Sequence, residues 1–320
     1  MLPELSTGRA QVLQPGNWRR IVRRVTRLGA THLILEHAYY GVPALRLKRK
    51  GVKLIAHSHN LEFERFRQLG KWWWPLLRRL EGRVHRAADL SLFKTPRDMD
   101  SAIHIFRLDP SRCILLPYGL ERTALPTSAE RQAAAQRIRQ RFRIRAEERI
   151  LYFNGTLDYA PNADALRHLV RDLIPALERT IGTDFRLLVT GRNIRAGFAD
   201  LASLHHDRYL YAGVLSDVDD LFLGADVFLN PVISGGGIKV KSMEALSWGL
   251  PVVCSSHAAT GIDPQRTGTR LRISDPMDTQ AFAAEVAKAL DDHTELPRAF
   301  FDTYGWETVI APLLERLGSL

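Results

Sequence analysis

Short apolar runs rich in β-branched residues alternate along this chain with longer amphipathic stretches. The apolar runs predict strands at His32–Glu36, Val52–His57, Leu90–Phe93, Cys113–Leu116, Ile150–Asn154, Phe185–Thr190, Val227–Asn230 and Pro251–Cys254. Their apolar positions are continuous rather than alternating, as in strands buried on both faces of a parallel sheet. Between them, Ala163–Thr180 and Lys239–Trp248 space apolar residues at helical intervals. The Arg-rich stretch Ser128–Arg149 reads as an exposed helix between two such units. Pro126 and small polar neighbours interrupt the pattern in Glu121–Thr127, which places a domain boundary there. The expectation is two doubly wound α/β domains, 1–122 and 123–305.

Composition narrows the class. The chain has 320 residues, 45% hydrophobic and 25% charged, which excludes disordered and disulfide-stapled miniature proteins. No apolar run reaches the ~18 residues that span a bilayer, and the first residues lack the apolar core of a signal peptide. Cys113 and Cys254 are far apart and fit no metal or redox spacing, which suits a reducing, cytoplasmic setting.

Charge adds one more constraint. Residues 1–150 carry 30 Lys+Arg against 13 Asp+Glu, a net of +17, whereas residues 151–320 net −7. A basic first half points to an anionic partner, or to nothing more than an Arg-rich composition. Within it, Phe66–Arg83 (FRQLGKWWWPLLRRLEGR) sets Trp72, Trp73 and Trp74 beside Arg78 and Arg79. Aromatics next to cations suit contact with an anionic membrane surface, lying on it rather than spanning it. The other reading of those tryptophans is packing in the core. No nucleic-acid-binding module is recognisable, so nucleic acid is not an expected partner.

The sharpest local signal lies in the second half. The run Asp226-Val-Phe-Leu-Asn230 leads into Pro231-Val-Ile-Ser-Gly-Gly-Gly237, then a helix, then Gly249-Leu-Pro251 and another apolar run. Glycines at a helix start let backbone N–H groups approach an anion, which the helix dipole also favours. Lys239 and Lys241 stand in the first turn, where the dipole disfavours cations, so an anion would compensate them. Glu244 follows about two turns into the helix, where a carboxylate can accept hydrogen bonds from sugar hydroxyls. The alternative is a glycine-rich turn beside a solvated helix face. The spacing fits neither a P-loop nor a dinucleotide fingerprint.

Phe228–Ser256 (FLNPVISGGGIKVKSMEALSWGLPVVCSS) resembles the donor-binding segment of group 1 glycosyltransferases, family 4-like retaining enzymes of the GT-B fold. Tyr152–Leu166, Val189–Asn193 and Tyr211–Asp217 resemble that family's nucleotide-facing loops. His57–Phe66 (HSHNLEFERF) is similar to its first-domain H-N-x-E segment, and Pro117-Tyr-Gly119 to the turn closing that domain. Trp306-Glu307 sits where the family's last helix crosses back, so 306–320 is expected to complete the first domain.

The resemblance implies a GT-B architecture of two Rossmann-like domains facing a cleft. It also implies transfer of a sugar, with retention, from a nucleotide-sugar donor to a saccharide or lipid-linked acceptor. The expected setting is cell-envelope polysaccharide biosynthesis on the cytoplasmic side, with peripheral contact at the inner membrane face. It assigns Glu244 to the ribose hydroxyls and His59 to the active site near the donor sugar. Gly235, Gly236, Gly237 and Ile238 would offer N–H groups to the diphosphate or sugar, and Gly155 and Thr156 belong to the first donor loop. Arg192 and Ser216 would flank nucleobase and phosphates, with Arg192, Lys239 and Lys241 supplying positive charge; Asn60 and Glu62 would hold the His59 loop.

No cofactor is implied beyond the donor, and no metal. His57 and His59 with Glu62 could ligate one, but no further spaced His/Cys cluster accompanies them. Gly236 stands where the family's first paired acid would be. Only about 30 residues precede the His32–Glu36 run. The first domain therefore reads as shortened, with a protein partner as one way to complete it. A catalytically silent GT-B-like binding subunit is the second functional reading.

Overall fold

The computed structural model describes residues 15–37, 41–192, 196–235 and 240–318. They divide into two compact units. The first comprises the described residues up to Gly119 and from Glu307, and the second those from Leu120 to Trp306.

In chain order the first unit contains α1 (Pro15–Arg27), β1 (His32–Glu36), α2 (Gly41–Lys48), β2 (Lys53–Ser58), α3 (Glu62–Gln68), α4 (Trp74–Ala87), β3 (Leu90–Phe93), α5 (Pro96–Phe106) and β4 (Cys113–Leu115). The strands form a parallel sheet in sequence order, β1-β2-β3-β4. Residues of β2 and β3 are almost wholly buried, as their unbroken apolar runs require. The register of β1 on β2 sets Glu36 level with His57.

The segment expected at a membrane splits three ways. Trp73 is only 5% exposed and packs on Phe66 at 4.5 Å between ring centroids, so it belongs to the core and not to any surface. Trp74 is half-buried against Phe63, and Trp72 is 78% exposed. Consecutive residues at a helix start point in different directions, so a cluster of three tryptophans cannot form one face. Arg78 and Arg79 remain exposed.

The α3–α4 pair is held by an acid. The N-cap residue of α3, Leu61, has no capping side chain, and Glu81 of α4 supplies the acceptors instead. Its Oε1 and Oε2 accept the N–H groups of Glu62 and Phe63 at 2.9 and 3.0 Å. Burial outweighs these bonds and pushes the Glu81 carboxyl up to about 8. Nearby His85, stacked between Phe93 and Phe106, is pushed down to about 4 by burial. An acid raised on folding stabilises the fold below its ordinary pKa and loses that contribution as pH rises to its folded value; a depressed histidine loses its contribution as pH falls below about 6.5. Glu81 therefore acts without opposition from His85 above pH 6.5. Wild-type protein should lose up to about 2 kcal/mol between pH 6.5 and 8 through this group. Glu81→Gln should flatten that slope in urea unfolding followed by tryptophan fluorescence, and equal slopes would refute the account.

The second unit contains α6 (Ser128–Phe142), β5 (Arg149–Asn154), α7 (Ala160–His168), α8 (Ile174–Ile181), β6 (Phe185–Thr190), β7 (Tyr209–Tyr211), α9 (Asp219–Gly224), β8 (Val227–Asn230), α10 (Val240–Ser247), β9 (Val252–Cys254), β10 (Leu271–Ile273), α11 (Thr279–Leu290) and α12 (Arg298–Tyr304). Its parallel sheet has the order β10-β9-β8-β5-β6-β7. The chain winds one way from β5 and the other way from β8, so β5 and β8 flank a topological switch point. A Thr127–Glu130 capping box starts α6, which ends at Phe142 and buries Ala134 and Ile138. It is thus shorter and less exposed than its arginines imply. The Ala163–Thr180 helix is broken by a π-helical turn, Leu169–Leu173. The C-terminal helix α13 (Trp306–Gly318) packs Val309 and Leu313 on Ile55, Leu90, Leu92 and Leu116 of the first unit.

Candidate functional site

Open parallel sheets bind ligands where the strand order reverses, beyond the strand C-termini. In the second unit that point lies between the loops after β5 and β8, which contain Gly155 and Gly235. Three loops are laced together there by backbone hydrogen bonds. Gly155 N–H donates to Thr190 O (3.1 Å), Leu157 N–H to Arg192 O (3.0 Å), and Gly191 N–H to Gly213 O (3.0 Å). Gly235 adopts φ +100°, and a Cβ there would meet the Tyr159 hydroxyl at 2.5 Å.

Lys241 of α10 fastens this cluster. Its Nζ donates to Asn154 O and Asn162 Oδ1, each at 3.0 Å, and lies 4.5 Å from the Phe153 ring centroid. Asn162 Nδ2 in turn donates to Thr156 O (3.0 Å). The ammonium expected on the phosphates therefore also organises the loop that would hold them. At the start of α10, Ser242 Oγ accepts from Asn230 Nδ2 at 2.8 Å, joining the helix to the end of β8.

Glu244 is half-buried one turn further along α10. Among the described residues its carboxylate has no hydrogen-bond partner. Burial, and then the negative charge of Asp219, raise its pKa. A carboxylate left this way at a strand-end crevice is suited to accept bonds from ligand hydroxyls.

These contacts bring Gly155, Thr156, Arg192, Gly235 and Lys241 into one cluster. The Arg192 side chain is exposed. Ser216 is exposed in the loop between β7 and α9, and no described hydrogen bond ties it to that cluster. Gly236, Gly237, Ile238 and Lys239 lie outside the described residues. Asn162, Tyr159 and Gly191 lie in segments that the sequence marks as nucleotide-facing loops, but their individual roles arise only from loops crossing in space. Sequence reasoning did not find Trp248, where the Arg122 guanidinium sits 3.4 Å from the ring centroid.

The first unit gathers a second set. Glu36 accepts from His57 Nδ1 at 3.0 Å and from His59 Nε2 at 2.5 Å. Burial pulls the Glu36 carboxyl up, but hydrogen bonds from the two imidazoles outweigh it and hold it below its ordinary value. Burial lowers the His57 pKa, the Glu36 bond opposes this, and the charge of Lys94 reinforces it. The sequence offered Glu62 as the acid beside the two histidines; the sheet register instead supplies Glu36, from 21 residues upstream of His57. Asn60 Nδ2 donates to Glu62 Oε1 (3.1 Å), and Arg65 bonds Glu62 Oε2 (2.9 Å), anchoring the turn after His59.

The fold is GT-B: two α/β units, each on a parallel sheet, matching solved structures of that architecture. HepE of Anabaena in complex with UDP superposes at a TM-score of 0.75, with 14% identity over 95% of this chain and 82% of its own. Sucrose-phosphate synthase from Thermosynechococcus elongatus gives 0.70 and 17% over 95% and 78%. The UDP-forming α,α-trehalose-phosphate synthase from Burkholderia xenovorans, in complex with glucose-6-phosphate, gives 0.70 and 16% over 95% and 78%. Residues 148–292 match the family model described as Glycosyl transferases group 1. No curated protein sequence matches the chain. The matched segment lies within the second unit, whereas the shared architecture extends over both.

Proposed function

We propose that the protein transfers a sugar from a nucleoside-diphosphate donor to a saccharide or lipid-linked acceptor with retention of anomeric configuration. The observation that carries this is the half-buried Glu244 carboxylate, without a hydrogen-bond partner among the described residues, beside the glycine-lined switch point that Lys241 ties together. Cleaving the sugar–diphosphate bond builds negative charge on the leaving group and positive character on the sugar. Backbone N–H groups and cations fixed where that charge develops are the chief catalytic resource. Glu244 fits the ribose hydroxyls, and Gly155, Thr156, Gly235 and Lys241 fit the diphosphate loops. Arg192 and Ser216 are assigned to the outer edge of the donor. His59, held by Glu36, is assigned to the donor sugar. The UDP complex of the HepE neighbour and its UDP-glucose complex support a uridine nucleotide as the first donor class to test. Exposed Trp72, Leu76, Arg78 and Arg79 support contact with an anionic bilayer where a lipid-linked acceptor would lie, Trp73 taking no part.

A thermal-shift panel of nucleotides and nucleotide sugars tests the donor site, because a ligand that prefers the folded state raises its melting point. At least one nucleoside diphosphate should do so, and Glu244→Ala should weaken its affinity by about tenfold or more, as expected when buried polar partners are lost. A panel without any shift defeats the proposal. Binding without donor turnover would identify a catalytically silent subunit instead.

A further inference from the structure

We propose that Glu36, His57 and His59 form a binding site for one zinc-class divalent cation. One ligand atom from each of the three lies within 4.8 Å of the others. Two imidazoles and one carboxylate make a borderline nitrogen–oxygen set, which suits Zn²⁺ far better than Mg²⁺ or Ca²⁺. Tetrahedral bonds of about 2.0–2.1 Å put neighbouring ligand atoms about 3.3 Å apart. The His57 and His59 contacts to Glu36, at 3.0 and 2.5 Å, need to open by less than 1 Å, and the two imidazole nitrogens, within 4.8 Å of each other, to close by up to about 1.5 Å, to admit the ion.

Backbone placement makes the set ready-made. Parallel pairing fixes Glu36 of β1 level with His57 of β2, and His59 follows two residues on, past the end of the strand. His57 is nearly buried, whereas Glu36 and His59 are about half exposed and free to adjust. Three protein ligands leave a fourth position open to water. The neighbouring Lys94 ammonium opposes a dication, yet it also favours neutral His57, the form that ligates. The ring of His37 packs 4.8 Å from that of His59 and limits how far it can turn. Where the function proposed above holds, a bound ion takes the His59 nitrogen and inhibits transfer, so free zinc acts as a brake. Binding itself is measured without any donor and stands or falls separately.

The full-length protein, stripped with a chelator, is titrated with Zn²⁺ against a chromophoric competitor, and its melting point is followed in parallel. One equivalent should bind and raise the melting point, while Mg²⁺ should not. Glu36→Gln and His59→Asn, each conservative and at a half-exposed position, should weaken zinc by at least about tenfold, as expected for lost ligands. His32→Asn, on the same strand outside the set, should bind as wild type. Absence of stoichiometric binding, or binding unchanged in both Glu36→Gln and His59→Asn, overturns the proposal.

Discussion

Replacing His59 with alanine should lower the rate of sugar transfer by about a hundredfold or more while leaving nucleotide binding within about twofold of wild type. The split follows from where each group sits. His59 lies in the first unit, at the turn after β2, and all the described residues assigned to the nucleotide lie in the second. Its imidazole is not a packed core group: it is about half exposed, and its Nε2 is held at 2.5 Å by Glu36. A carboxylate in that position fixes ring orientation, as in other histidine–carboxylate pairs. Glu36→Gln keeps the shape but weakens the charge-assisted bond, so it should cost less than removing the ring, about tenfold, mainly in kcat. Steady-state kinetics with the donor found by thermal shift, beside nucleotide affinity for each variant, checks both numbers. A His59→Ala rate equal to wild type would reduce His59 to a structural residue and leave the donor site to act without it.

Much of the fold is legible in the sequence alone. His32–Glu36, Leu90–Phe93, Phe185–Thr190 and Val227–Asn230 are strands with the expected bounds; the last three are mostly apolar runs, which have one stable use in a sheet covered on both faces, whereas β1 is a largely exposed edge strand. Tyr209–Tyr211 and Leu271–Ile273 escaped notice: each is three residues long and at a sheet edge, where pairing rather than composition makes the strand. Trp73 was misplaced because composition identifies aromatic residues without their directions. Glu36 was invisible as a partner of His57 and His59, since only parallel register brings it there. Lys241 was legible as a cation at a glycine-rich helix start, but its hold on Asn154 and Asn162 depends on two loops meeting. Chemistry carried by a contiguous motif could thus be read from the chain, and chemistry assembled across strands could not.

Gly191→Ala should be the most damaging single methyl in the second unit. A Cβ at this position would stand 2.0 Å from Gly155 O and 3.0 Å from Leu157 Cγ. The near neighbour is backbone, so no side-chain rotation relieves the clash. Nor can the Gly155 loop withdraw cheaply. Gly155 N–H is bonded to Thr190 O, Leu157 N–H to Arg192 O, Gly191 N–H to Gly213 O, and the Tyr211 hydroxyl to Gly191 O. Separating the loops breaks bonds after β5, β6 and β7 together, which places the cost at about 3 kcal/mol or more. Because these loops carry Gly155, Thr156 and Arg192, nucleotide affinity should fall by more than about tenfold even where the protein still folds. Gly182→Ala is the fitting control. Gly182 has φ +77° and ψ −163°, a region that only glycine adopts readily, with open space around its Cβ position, so alanine there costs backbone strain of about 1–3 kcal/mol without any clash and should leave nucleotide binding intact. Equal nucleotide affinities for the two variants would mean that the loops yield freely. A crevice whose walls yield that easily would not hold a diphosphate in fixed geometry, and the electrostatic account of transfer at this switch point would lose its footing.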